Sequence, residues 1–245
     1  MKRQKLAIIG SGISGLTCGF KLAPYHDITV FEAEDYIGGH THTHDITWRG
    51  ETHAIDTGFI VFNNRTYPNF IKLMKNLGIA WQPSNMSFSV QCQKTGLYFC
   101  PSTLNSMFAQ RKNLLRPAFF RMLTEALRFR REASELIATD DYRITLQAYL
   151  EKRNYSTFFI ENFIIPMGGA IWSADPVQFR EFPARYLVEF FNNHGFLNIS
   201  DQPQWLVIKG GSRQYIAPLT KRFRENIRLN TPVSSVKRFE RKVDV

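Results

Sequence analysis

A glycine-rich turn near the N-terminus, Gly10-Ser11-Gly12-Ile13-Ser14-Gly15, constrains the fold of this chain more than any other feature. It follows a short apolar run at 5–9, and it precedes apolar residues at helical spacing over 13–23 and a second apolar run at 28–31. A strand, a glycine turn, a helix and a strand within about thirty residues predict a βαβ unit with parallel strands. A GxGxxG pattern in this position is typical of domains that bind dinucleotides.

Each glycine of the turn has a separate physical role. Gly10 allows the tight turn out of the strand, Gly12 leaves room for a pyrophosphate against the backbone, and Gly15 lets the helix pack closely on the sheet. The N-terminus of the helix then presents free N–H groups and the positive end of its dipole to the phosphates. Hence all six residues from Gly10 to Gly15 are predicted to bind the cofactor.

An acidic residue ends the second predicted strand. Glu32 lies 32 − 10 = 22 residues beyond the first glycine, where a carboxylate hydrogen-bonds the ribose hydroxyls of a dinucleotide. The alternative is a solvated glutamate at a strand end. An acid here disfavours a 2′-phosphorylated nucleotide, but it does not distinguish NAD from FAD.

The next segment supplies that distinction through a family resemblance. The order GxGxxG, Val30–Ala33, Ile37-Gly38-Gly39 and then Thr41 resembles the superfamily of flavin amine oxidases and phytoene desaturases. The resemblance implies FAD as the cofactor, with the glycine doublet bringing a second backbone loop against its pyrophosphate. Most members have an arginine after the doublet, whereas this chain has His40, which can still donate a hydrogen bond to a phosphate oxygen.

Further elements of that superfamily follow in order. Asp56-Thr57-Gly58-Phe59 resembles the segment that runs beside the cofactor, and Lys209–Arg213 resembles a glycine pair that opens a helix. Thr231-Pro232-Val233 resembles the strand whose valine backbone meets the adenine. The resemblance therefore implies the following cofactor-binding residues: Gly10, Ser11, Gly12, Ile13, Ser14, Gly15, Glu32, Ala33, Gly38, Gly39, His40, Thr41, Thr57, Gly58, Phe59 and Val233.

A bacterial branch usually described as predicted NAD/FAD-binding proteins is similar in more detail. The shared phrases include Ala170-Ile171-Trp172-Ser173 and Asn193-His194-Gly195-Phe196. The branch is similar to the flavoprotein-like domain fused to plant cyclopropane fatty acid synthases. It implies no particular reaction, and the catalytic residues stay unknown.

The predicted fold class is α/β, with a Rossmann-like FAD-binding domain and an inserted, mixed α+β and largely helical substrate domain. Residues 1–62 and 205–245 are assigned to the FAD-binding domain, and 63–204 to the substrate or cap domain. Helices are predicted at 67–77, 117–137, 146–152 and 184–192, and strands at 86–91, 97–100, 227–229 and 233–239.

Composition limits the remaining possibilities. With 44% apolar and 14% aromatic residues the chain can bury a large core. Three cysteines without a CxxC favour a reducing cytoplasm over a disulfide framework or a zinc ribbon, and no apolar run approaches the ~20 residues of a membrane span. His40, His42 and His44 alternate, but three ligands of one type do not make a predicted metal site.

The net charge is 31 − 21 = +10, and residues 207–245 alone carry 10 − 3 = +7. This indicates a local contact with anions rather than nucleic acid, because the basic residues lack an interleaved aromatic pattern for stacking bases. The basic, amphipathic 117–137 helix is interpreted as core-facing, with peripheral membrane contact as the alternative.

These observations favour an FAD-dependent oxidoreductase that takes a hydride equivalent from an unidentified amine or unsaturated lipid-like substrate. The alternatives are a non-catalytic dinucleotide-binding partner subunit and an NAD-dependent dehydrogenase. The sequence contains no nucleophile elbow, P-loop or HExxH motif, so these patterns give no support to a hydrolase. The superfamily's C-terminal glycine-rich segment is not found before Val245. We therefore expect residues 1–245 alone to bind FAD weakly or not at all and to turn nothing over, until a longer chain or a second polypeptide completes the flavin site.

Overall fold

The computed structural model describes residues 2–139, 141–172, 174–197, 203–240 and 242–245. Its strands are β1 Lys5–Ile9, β2 Asp27–Phe31, β3 Thr43–Trp48, β4 Glu51–Asp56, β5 Phe62–Asn63, β6 Trp81–Ser84, β7 Val90–Cys92, β8 Leu97–Phe99, β9 Trp205–Ile208, β10 Ile227–Arg228, β11 Lys237–Arg238 and β12 Val243–Asp244. Its α-helices are α1 Ile13–Leu22, α2 Pro68–Leu77, α3 Leu104–Met107, α4 Pro117–Ile137, α5 Leu146–Lys152, α6 Thr157–Phe159, α7 Ile165–Trp172, α8 Pro176–Arg180, α9 Ala184–Asn193 and α10 Ile216–Thr220.

The chain divides into two compact units. The first comprises Met1–Asn85 and Gln204–Val245, and the second comprises Met86–Pro203. The sequence-based boundary at 62 thus lies before the structural one, because α2 and β6 fold with the first unit. The reason is strand pairing, since β6 and β5 both pair antiparallel with β9. The roles assigned to the two domains stay predictions.

The first unit is built on the predicted βαβ unit. β1 pairs in parallel with β2 from Lys5↔Asp27 to Ile9↔Phe31, and β10 pairs in parallel with the other edge of β2. Leu16 of α1 and Val30 of β2 are fully buried in the core that this unit forms. β1 and β2 therefore end side by side, which brings the glycine turn close to the residue after β2.

Two antiparallel elements complete the part of the first unit that bears on the site. The β3–β4 hairpin pairs from Thr43↔Asp56 to Trp48↔Glu51, and its turn carries Arg49 and Gly50 at positive φ. A 3₁₀ turn over Ser212–Tyr215 leads into α10. The hairpin and this turn are joined at Asp56.

The second unit is mostly helical, with the β7–β8 hairpin at its start. The long predicted helix is confirmed as α4, and its buried face carries Phe119, Met122, Phe129 and Ala133. Phe120 and Leu127, which belong to the same helix, are exposed. The core-facing interpretation of α4 is confirmed for one face of the helix, while the opposite face is partly apolar.

Most other predicted elements lie within a few residues of the observed ones. The strand predicted at 86–91 was wrong for its first part, since β7 begins at Val90. The strand predicted at 233–239 shrinks to β11, because only Lys237 and Arg238 find a partner strand, in β12. Ser173, which belongs to one of the family-like phrases, lies outside the described residues.

Candidate cofactor-binding site

A cavity of about 530 Å³ lies at the carboxyl end of β1, wholly within the first unit. Its lining residues are Ile9, Gly10, Gly12, Ile13, Ser14, Gly15, Gly38, Gly39, His40, Thr41, Phe59, Tyr67, Phe70 and Tyr215. Ten of the sixteen predicted cofactor-binding residues are among them. The other six (Ser11, Glu32, Ala33, Thr57, Gly58 and Val233) do not line it.

The glycines of the turn have the geometry that their roles require. Gly10 has φ +89°, and an ideal Cβ on Gly15 would lie 2.2 Å from the Gly10 carbonyl oxygen, so helix and turn pack too closely for any side chain. A Cβ on Gly12, in contrast, would meet nothing within 4 Å. The side-chain position of Gly12 therefore faces open space in the cavity.

The N-terminus of α1 faces the cavity without a competing charge. Gly12 is the N-cap residue, no side chain caps the helix, and its first turn contains no acidic residue. The first-turn residues Ile13, Ser14 and Gly15 all line the cavity. Free backbone N–H groups and the positive end of a helix dipole form a ready site for an anion such as a phosphate.

Ser11 joins three segments behind the cavity. It is fully buried, and its N–H and its hydroxyl donate to Glu32 Oε2 at 2.7 and 2.5 Å. The same hydroxyl accepts a hydrogen bond from the N–H of Gly38 at 3.1 Å. Ser11 thus connects the glycine turn, the end of β2 and the glycine doublet, so its structural place is in the support of the cavity.

Glu32 is buried and stays ionised because of its hydrogen bonds. Desolvation by burial raises its pKa, but the hydrogen bonds from the Ser11 hydroxyl and from the N–H groups of Glu34, Ser11 and Ala33 outweigh that effect and leave the pKa lowered. The N–H of Glu34 donates to Oε1 at 3.0 Å. These four donors together hold the carboxylate in place at the end of β2.

The glycine doublet packs directly on the glycine turn. Gly38 and Gly39 have φ +137° and +58°, and a Cβ on Gly39 would lie 3.2 Å from the Cα of Gly12. The hydroxyl of Tyr36 donates to the carbonyl of Gly39 at 3.1 Å. Two backbone segments therefore line the cavity side by side, as the resemblance implied.

Thr57, Gly58 and Phe59 hold the loop that follows the doublet. The N–H of Phe59 donates to the carbonyl of His40 at 2.7 Å, and the N–H of Thr57 donates to that of His42 at 3.0 Å. A Cβ on Gly58 would lie 2.2 Å from the His40 carbonyl oxygen, so only glycine allows this approach. Of the three, Phe59 alone reaches the cavity.

Asp56 was not among the predicted site residues, yet it fixes two segments. Its carboxylate accepts hydrogen bonds from Ser212 N (3.0 Å), Ser212 Oγ (2.8 Å) and Thr43 Oγ1 (2.5 Å). It therefore caps the turn that opens towards α10. Two separate signals were available in the sequence. One is the acid of Asp56-Thr57-Gly58, and the other is Gly210-Gly211-Ser212, far along the chain, which is typical of a helix start.

An aromatic wall was also missed. Tyr67 and Phe70 come from the start of α2, and Tyr215 comes from the turn before α10. The Thr41 and Tyr215 hydroxyls are hydrogen-bonded to each other. Burial raises the pKa of both Tyr67 and Tyr215, so both phenols are protonated at neutral pH. Helical spacing predicts α2, but no local signal places it at this cavity.

The segment resembling the adenine-binding strand is anchored to β2. The N–H of Thr231 donates to the backbone carbonyl of Glu32 at 2.7 Å, and that of Asn230 donates to Glu34 at 3.0 Å. Val233 is half-buried two residues further on, but it lies in no strand, so the predicted strand conformation there was wrong.

The alternating histidines form a ring stack. Tyr36 and His42 stack with ring centroids 4.3 Å apart, and His42 and His44 lie 4.2 Å apart. His44 belongs to β3, whereas His40 and His42 precede that strand. Within the described ranges, no three His, Cys, Asp or Glu side chains are grouped as metal ligands.

Comparison with known proteins shows the family of the chain that carries this cavity. The model of the family described as "Flavin containing amine oxidoreductase" matches residues 13–245, which is nearly the whole chain. The chain belongs to the flavin-containing amine oxidoreductase family. The predicted resemblance is thereby confirmed, and a flavin is the cofactor of this family.

Curated proteins related to this flavin-family chain are similar over shorter stretches. It is 34% identical over 101 residues to a 15-cis-phytoene desaturase of Synechococcus elongatus, covering 39% of this chain and 20% of that protein. It is 47% identical over 45 residues to a tryptophan 2-monooxygenase of Allorhizobium ampelinum, covering 18% of this chain and 6% of that protein. The chain thus spans a minor part of either relative.

Solved structures confirm the fold class of the flavin-family chain. Cyclohexylamine oxidase from Brevibacterium oxydans matches with a TM-score of 0.68 at 21% identity, covering 99% of this chain and 54% of that one. Putrescine oxidase bound to putrescine matches with a TM-score of 0.65 at 20% identity, covering 99% and 54%. The chain spans about half the length of these structures. The predicted Rossmann-like FAD-binding fold is confirmed.

No α-helix in the described part of the chain has both the length and the apolar character needed to cross a bilayer.

Proposed function

We propose that the chain binds FAD in the cavity at the end of β1 and forms the nucleotide-binding part of an FAD-dependent oxidoreductase. The observation that carries the proposal is the meeting of the glycine turn and the glycine doublet, with a Cβ on Gly39 only 3.2 Å from Gly12 while the side-chain position of Gly12 is open. A pyrophosphate needs this combination of close backbone and empty space.

The residues present fit the phosphates of FAD. The uncapped N-terminus of α1 supplies N–H donors at Ile13, Ser14 and Gly15, and Gly12 keeps the approach free. His40 lines the same cavity, where its ring can donate to a phosphate oxygen. The proposal assigns the phosphates to these backbone and imidazole donors.

Glu32 is assigned to the ribose because it follows β2 and its carboxylate is hydrogen-bonded to Ser11 of the glycine turn. Ser11 and Glu34 hold the carboxylate in place, and the N–H of Thr231 donates to the backbone carbonyl of Glu32. Val233, two residues beyond Thr231, is the proposed neighbour of the adenine. Ala33, Thr57 and Gly58 support these segments rather than contact the phosphates.

A bound flavin supplies the redox chemistry by accepting a hydride equivalent from the substrate. The residues of this chain bind and orient the cofactor and exclude water. Phe59, Tyr67, Phe70 and Tyr215 form an aromatic side of the cavity, and the two raised phenol pKa values make these tyrosines hydrogen-bond donors rather than bases. The proposal therefore includes no catalytic base from this chain.

The substrate proposed for the whole protein is an amine or an unsaturated lipid-like molecule. The cyclohexylamine and putrescine oxidases among the similar structures favour an amine, and the phytoene desaturase similarity favours an unsaturated lipid. Anaerobic mixing of the whole protein, loaded with flavin, with candidates of both classes distinguishes them by absorption, because the true substrate bleaches the flavin.

Cofactor binding is tested by titrating the purified chain with FAD and, separately, with NAD, and following flavin fluorescence and competition. We expect residues 1–245 to bind FAD weakly and Gly12→Val to abolish this binding, because the added side chain enters the space of the pyrophosphate. Ala7→Val, which adds the same side chain to the exposed strand position Ala7, is the matched control. Unchanged FAD affinity in a folded Gly12→Val protein, or binding of NAD without FAD, would contradict the proposal.

A further inference from the structure

The second unit carries an exposed surface in which leucines stand among unpaired cations. We call it the 104–131 surface, and its members are Leu104, Leu114, Leu115, Phe120, Leu127, Lys112, Arg116 and Arg131. Leu115 is 87% and Leu104 81% exposed, and Leu114, Phe120 and Leu127 are exposed as well. A group of large apolar side chains with such exposure marks a surface that binds a partner.

The members lie on connected elements. Arg111, in the 3₁₀ turn Arg111–Leu115, donates to Asn105 Oδ1 of α3 at 2.7 Å and to the carbonyl of Phe108 at 3.1 Å. The rings of Phe108 and Phe120 lie 5.7 Å apart, which connects the end of α3 to the start of α4. Along α4, Phe120, Leu127 and Arg131 follow at i, i+7 and i+11, which is one helix face.

The charge of this segment is one-sided. Residues 104–131 hold seven Lys or Arg and one Glu, which gives 7 − 1 = +6. No acidic residue occurs anywhere from 57 to 124, a run of 124 − 57 + 1 = 68 residues that contains eight Lys or Arg. Lys112 and Arg116 therefore have no acidic residue near them in the sequence.

The individual cations of this segment differ in whether they pair with an acid. Arg121 contacts Glu125 and Arg128 contacts Glu132, so these two serve the fold. The side chains of Lys112, Arg116 and Arg131 make no hydrogen bond or ion pair within the part of the chain that the structure describes. Three cations without partners around exposed leucines complement a surface that is anionic outside and apolar beneath.

We propose that the 104–131 surface docks on an anionic phospholipid bilayer, with the leucines and Phe120 entering the headgroup layer and Lys112, Arg116 and Arg131 contacting lipid phosphates. A basic, apolar helical surface lies in the plane of such an interface, and long cationic side chains reach the phosphates while their stems stay apolar. The proposal does not depend on the cofactor.

The test is sedimentation of the 245-residue protein with vesicles of phosphatidylcholine alone or mixed with phosphatidylglycerol, at low and high salt. We expect binding to the mixed vesicles only, weakened by salt. Lys112→Gln/Arg116→Gln/Arg131→Gln should lower the partition coefficient roughly fivefold per charge, about a hundredfold in total. Leu114→Ser/Leu115→Ser should weaken binding with the charge unchanged.

Matched controls remove equal charge and apolar surface elsewhere. Lys221→Gln/Arg222→Gln/Lys237→Gln neutralises three exposed cations of the first unit, and Val177→Ser/Val236→Ser removes two exposed valines. Both should bind like the unchanged protein, with circular dichroism confirming the fold of every variant. Equal loss in the controls, equal binding to neutral vesicles, or absence of binding would overturn the proposal. The proposal would also be overturned by dimers that dissociate when the leucines are substituted, together with no binding to vesicles. That result would assign the surface to a second copy of the chain.

Discussion

The N–H and the hydroxyl of Ser11 both donate to one oxygen of Glu32, at 2.7 and 2.5 Å, across 21 residues of sequence. The second position of a GxGxxG turn is usually treated as free. Here it carries a hydroxyl that holds the acidic residue and also accepts from Gly38. The dinucleotide turn is therefore braced against both other segments that it meets.

Ser11→Ala should lower the free energy of unfolding by about 1.5–3 kcal/mol, because it removes a hydrogen bond to a buried charged group and leaves the Gly38 N–H without its acceptor. Urea unfolding at neutral pH measures the change. Ser14→Ala is the control, since Ser14 lies in the same turn but is exposed. Equal stability of the two variants would remove Ser11 from this bracing role.

The pH dependence of stability should report on Glu32. Its folded pKa lies below the ordinary value of 4.5, so its contribution to stability is fully present above that value and is lost as the pH falls through the lowered folded pKa. Unfolding measured from neutral to acidic pH should show the difference between the unchanged protein and Glu32→Gln shrinking only in that acidic window. Glu34→Gln, an exposed neighbour, should show much less of this dependence. A difference that shrinks already near neutral pH would be inconsistent with a lowered pKa.

Asp56→Ala should destabilise the first unit by about 1–3 kcal/mol, because Ser212 N, Ser212 Oγ and Thr43 Oγ1 lose their common acceptor. Thermal unfolding provides the measurement. Asp45→Ala serves as the comparison, since Asp45 pairs with Arg213 on the exposed surface, where ion pairs stabilise little. If Asp45→Ala proved the more harmful change, the capping role of Asp56 would be refuted.

Two glycines of one turn should respond oppositely to the same substitution. Gly15→Ala places a methyl group 2.2 Å from the Gly10 carbonyl oxygen and should cost about 1–3 kcal/mol of stability by overpacking. Gly12→Ala meets nothing within 4 Å and should leave stability nearly unchanged while it weakens FAD binding. Parallel unfolding and FAD titrations distinguish the effects, and a stable Gly15→Ala protein would contradict the close packing of helix and turn.

Local patterns sufficed for the elements around the glycine turn. β1 was predicted at its observed bounds and α1 within one residue, because apolar periodicity and glycine positions are local properties. The same is true of α4 and α5. The strand at 233–239 failed because a strand also requires a partner, and only Lys237 and Arg238 have one.

The missed parts of the site depend on contacts between distant segments. Thr41 and Tyr215 meet across 174 residues, and Ser212 and Asp56 across 156. Sequence periodicity indicates that α2 is amphipathic, but not that Tyr67 and Phe70 border the glycine turn. The resemblance to the flavin family named the phrase containing Asp56, yet hydrogen-bond geometry was needed to show that this acid holds a helix start.

The way Gly58 supports His40 separates architecture from chemistry. The loop that presents position 40 is held from behind through backbone atoms alone, by the N–H of Phe59 and the close approach of Gly58. The exposed side chain of His40 makes no hydrogen bond or ion pair with the described residues, so a different side chain at this position leaves the support of the loop in place. The arginine that is usual in the superfamily can therefore be replaced by histidine at this position. The replacement changes the hydrogen bonding to a phosphate and leaves the backbone of the loop in place.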